Sequence, residues 1–104
     1  MNTRIARQLI EATKPRYQAD ELKWYADDIV KTHNHAATYG FIDLPTLDFK
    51  SVEHKNDRII ISVTTKCDMA DITDLFNLKQ AWGADSIEIF TGEDPAICIV
   101  FNTK

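Results

Sequence analysis

Glycine is scarce: the 104 residues contain three, at positions 40, 83 and 92, and none stands in a spacing that cradles phosphate. No known nucleotide-binding loop is therefore spelled. Cysteine is scarcer, with Cys67 and Cys98 lying 31 positions apart. That is too sparse for a disulfide framework and lacks the paired spacing of zinc sites, which points to a reducing, cytoplasmic setting. Long apolar runs are missing too. The run from Ala96 to Phe101 is six residues, against about 20 for a bilayer-spanning helix, so a membrane partner is not expected. The opening segment MNTRIARQLIEATK is amphipathic and charged, without the apolar stretch and small-residue cleavage site of a secretory signal.

What remains is ordinary for a globular chain: 44% hydrophobic and 27% charged residues. The length fits one domain with one core, spanning 1–104. No internal repeat, low-complexity tract or linker divides it. The net charge of −4 is unevenly distributed. Residues 1–16 carry Arg4, Arg7, Lys14 and Arg16 against one acid, whereas Asp68 to Asp94 holds seven acids against one base, Lys79. A gradient of this kind steers association with charged partners and says nothing of fold.

Periodicity sets the expected architecture. A first helix over about Thr3–Thr13 has Ile5, Leu9 and Ala12 on one stripe and ends before Pro15. A second places Ala19, Leu22, Ala26, Ile29, Val30, His33 and Ala37 on its inner side. Its stop is Gly40, with Phe41 positioned for the hydrophobic contact that often follows, or an earlier fraying near His33. Together these make an N-terminal helical pair over 3–40.

Over 45–103 the sequence predicts a sheet with a crossing helix. Leu47 and Phe49 alternate with Asp48 and Lys50, a turn follows around His54–Asp57, and Arg58–Thr65 is β-prone by its branched residues. Asp68 caps a third helix that Gly83 ends. Ser86–Thr91 alternates, and Ala96–Phe101 is apolar on both faces, as suits an interior strand. The expected class is α+β, order α-α-β-β-α-β-β, with a mainly antiparallel four-stranded sheet packed with helices. The third helix should cover one face, with the N-terminal helices on the other or beside it. Ile61, Val63, Ile72, Phe76, Ile99 and Phe101 are the expected shared core.

The candidate chemistry is thin. His33 and His35 are potential metal ligands, yet on a helix two residues apart point about 200° from each other, so a packed and a solvated histidine are expected and no metal. Cys67, between strand and helix, is a candidate nucleophile opposed by Asp68 and Asp71. The carboxylate pairs Asp27 with Asp28 and Asp71 with Asp74 lie on outer helix faces, where ordinary acidity is the rule. Asp27 and Lys31 have the spacing of a helical ion pair. Nothing here implies a cofactor.

The chain accordingly reads as a non-enzymatic protein-binding module, an inhibitor or regulator, that presents acids to a basic site on a macromolecular partner. The surface is Asp71, Asp74, Asp85, Glu88, Glu93 and Asp94. Trp24, on the flank of the second helix, is a further anchor for a partner or for a second copy in a homodimer. The alternative is a nucleic-acid-binding regulator using Arg4, Arg7, Lys14 and Arg16. A small enzyme using Cys67 or the histidines is third.

Overall fold

Two helix stops and one hairpin turn fix the path of the chain. In the computed structural model, which describes residues 19–65, 72–90 and 93–102, helix α1 spans Ala19–Thr38 and helix α2 spans Ile72–Trp82. Each ends in a Schellman motif. After α1, Phe41 N–H donates to the Ala36 carbonyl and Gly40 N–H to that of Ala37; after α2, Ala84 and Gly83 do the same to Lys79 and Gln80. The turning residues are Gly40 and Gly83, at φ 77° and 64°, where a Cβ would be strained. The alternative stop at His33 is not used. Phe41 departs from expectation: the backbone half of the motif forms, but the ring is solvent-exposed and makes no hydrophobic closure.

Strands β1 (Asp48–Lys55) and β2 (Arg58–Thr64) form a hairpin closed by Asn56 and Asp57. Both turn residues have positive φ, 53° and 62°, the left-handed pair of a two-residue turn matched to strand twist. With β3 (Ser86–Phe90) and β4 (Ala96–Asn102), the sheet runs β1-β2-β4-β3, antiparallel throughout. The described order is α-β-β-α-β-β, an α+β architecture. The expected first helix lies outside the described residues.

A bulge at Lys50 corrects strict alternation in β1. Phe49 opposes Val63, and after the extra residue Val52 opposes Ile61. Both apolar side chains therefore face the same side, which simple alternation from Phe49 would have denied to Val52.

That side is the core. Ile59, Ile61 and Val63 of β2 and Ile97, Ile99 and Phe101 of β4 are buried with Leu22, Ala26, Ile29 and Val30 of α1 and Leu78 and Trp82 of α2. Both helices thus sit on one face, α1 beside α2. β4 is interior as expected, and its other face is covered as well, with Cys98 and Val100 buried. The Arg58–Glu88 ion pair, 3.3 Å, reaches from β2 to β3 across β4 on that side.

Four of the six expected core residues are buried: Ile61, Val63, Ile99 and Phe101. The side chain of Ile72 lies outside the described set. Phe76 overturns its expectation, being 56% exposed. The inner stripe of α2 is Leu75, Leu78 and Trp82, and at about 100° per residue Phe76 points away from Leu75 and further still from Leu78.

Candidate functional site

The described acids spread along β3 and to both ends of β4, Asp85 beside Asn102 and Asp94 just before Ala96. Asp74 is in the first turn of α2, partly exposed. Asp85 follows the Gly83 turn, and its Oδ2 accepts the Asn102 backbone N–H at 2.6 Å, so this carboxylate ties β3's entry to the end of β4. Glu88, on the edge strand β3, pairs with Arg58. Asp94 is matched by Lys50 at the β1 bulge. Glu93 is exposed. The acids thus divide by local partner: three are engaged within the chain, while Asp74 and Glu93 have no ion partner among the described residues. Such exposed pairs contribute little to stability, about 0–1 kcal/mol, and yield readily to a competing charge. Asp68 and Asp71 lie outside the described residues, as do Cys67 and the alternative cationic set of Arg4, Arg7, Lys14 and Arg16.

Apolar side chains lie among these acids. Phe76 stands out from α2, and Ile89 and Phe90 close β3, 48% and 57% exposed. Because β3 runs back alongside α2 after a three-residue turn, Phe76, six residues before the helix end, comes level with Ile89, three residues into the strand. β3 is also a sheet edge, its outward backbone groups without a strand partner among the described residues. Trp24 is 68% exposed on α1, remote in sequence from this corner.

The histidines separate as their spacing requires. His35 is exposed, its ring 4.6 Å from that of Tyr39 one turn on. His33 is buried: Nδ1 accepts the Trp82 indole N–H at 2.9 Å and Nε2 meets the Pro45 carbonyl at 2.9 Å. Burial lowers its pKa from 6.5, and the bond to Pro45 opposes that in part. No group of three His, Cys, Asp or Glu among the described residues is placed to hold a metal. Cys98 is a buried free thiol whose Sγ lies 3.4 Å from Ser62 Oγ.

Asn34 escaped the sequence reading. Its side-chain amide donates to the Leu47 carbonyl and accepts the Leu47 N–H, both at 2.7 Å, so one residue acts as a strand partner for the segment entering β1. The one available signal was its position mid-helix, where asparagine is a poor former and needs another use. The Asp27–Lys31 pair forms as its spacing implied, 2.9 Å, and its hydrogen bond raises the Lys31 pKa. No helix among the described residues is long and apolar enough to cross a membrane. No protein-family model, curated protein or solved structure matches the chain.

Proposed function

We propose that this protein is a non-enzymatic binding module, an inhibitor or regulator of a protein partner, that docks through the α2–β3 corner in a reducing, cytoplasmic setting. The observation that carries the reading is the exposure of Phe76 on α2 and of Ile89 and Phe90, which face opposite sides of the edge strand β3, in the same segment of chain as the acids. Apolar side chains within a charged rim are the usual composition of a protein interface. The partner chemistry follows: an apolar contact flanked by Lys or Arg, which would complement Asp74 and Glu93 and compete for Glu88.

Partner capture, with and without nuclease, tests this. The variant Asp71→Asn, Asp74→Asn, Glu88→Gln, Glu93→Gln is expected to retain the fold, because Glu88 forms only a surface pair, and to capture the partner at least tenfold more weakly. Wild-type capture should fall as salt rises, since Debye screening shortens to about 3 Å at 1 M. Undiminished capture by the variant, capture indifferent to salt, or capture that nuclease abolishes would refute the reading.

A further inference from the structure

α1, α2 and the segment entering β1 converge on one imidazole. His33 is 6% exposed, with Trp82's indole on one ring nitrogen and Pro45's carbonyl at the other. An indole N–H only donates and a carbonyl only accepts, so a single tautomer satisfies both: a proton on Nε2 and none on Nδ1. A proton on Nδ1 would set two N–H donors against each other in a buried site. The rings add to the contact, their centroids 5.7 Å apart and tilted by 54°.

From this geometry we propose that His33 is an acid-released latch: uptake of a solvent proton at Nδ1 breaks its bond to Trp82 and opens the seam between α1 and α2 while the sheet stays paired. The sheet's own ladders are backbone bonds, which do not titrate, laid over an apolar core. Asn34 holds Leu47 by an amide, equally indifferent to pH. The charged or titratable groups nearest along the chain to the ring and its two partners are Lys31 and His35 on α1, Lys79 one turn before Trp82 on α2, and Asp43 and Asp48 flanking the 45–47 segment. None contributes to the depression of the His33 pKa, which burial causes.

The sign follows. The closed state favours neutral imidazole, whereas an opened one takes a proton near the unperturbed 6.5. The seam is therefore fully closed above that pH and weakens as pH falls below it, toward the depressed value of the closed state. One proton per opening makes the open population rise about tenfold per pH unit in that window.

The test uses a Trp24→Phe background, in which Trp82 is the sole tryptophan, titrated from about pH 8 to about pH 4, where carboxylates begin to titrate. Nitrogen NMR of the His33 ring should show the Nε2–H tautomer at neutral pH. Trp82 emission should then move to longer wavelength in step with protonation of that ring, while the strand signal in circular dichroism persists. His33→Gln, which offers a donor and an acceptor but cannot titrate, should remove the transition. A neutral-pH ring carrying its proton on Nδ1, Trp82 emission constant to about pH 4, or strands lost in the same transition as the seam would each overturn the latch. If His33→Gln does not fold, the ring titration against Trp82 emission decides alone.

Discussion

Trp82→Ala is expected to lower stability by about 3–5 kcal/mol in denaturant unfolding, a large share of what a small domain possesses. Trp82 is buried at the end of α2, among the largest fully enclosed side chains, and its removal leaves a cavity between the two helices and the sheet. It also strips the donor from His33 Nδ1. A second variant separates the two losses. Trp82→Phe removes the indole N–H but leaves an aromatic ring in place, so its cost should fall to that of an unsatisfied buried acceptor plus the smaller ring, about 1–3 kcal/mol. Equal losses in the two variants would mean that packing volume contributes little at this position.

Asn34→Ala should cost about 2–3 kcal/mol, more than surface substitutions in a helix normally do. The amide satisfies both backbone groups of Leu47, and Leu47 is itself a core residue, 2% exposed. Alanine is the better helix former, so α1 alone would gain from the change. Net destabilisation therefore measures the clasp. Hydrogen exchange at the Leu47 amide gives the sharper readout: it should accelerate in the variant beyond the β2 and β4 amides, whose exchange should quicken only in proportion to the loss of global stability. A slow, unchanged Leu47 amide would show that the segment is held by something else.

The parts of the fold that were legible are those written as local rules. Ala96–Phe101 is apolar without interruption, and only an interior strand buries both faces of such a run, so β4's place followed from its composition. Gly40 and Gly83 announced their helix ends because a left-handed residue is needed there. His33 fell on an inner stripe by spacing, and it is buried. Phe76 was misplaced because α2 carries more apolar residues than its buried stripe can use. Two registers were available, and the choice depended on how the helix sits on the sheet. The Lys50 bulge and the Asn34 clasp left no periodic trace, since each depends on a neighbour far along the chain. The acidic segment was visible as charge, but the bonds from Arg58, Lys50 and the Asn102 amide that engage Glu88, Asp94 and Asp85 are tertiary facts.

Phe76→Ala, read for stability and for partner capture together, decides whether the α2–β3 corner is a displayed surface or a loose part of the core. With the ring 56% exposed, the variant should unfold within about 1 kcal/mol of the parent and yet bind its partner at least tenfold more weakly, as loss of an interface aromatic does. A stability loss of about 3–5 kcal/mol with capture unchanged would place Phe76 in the core and contradict the proposed docking surface.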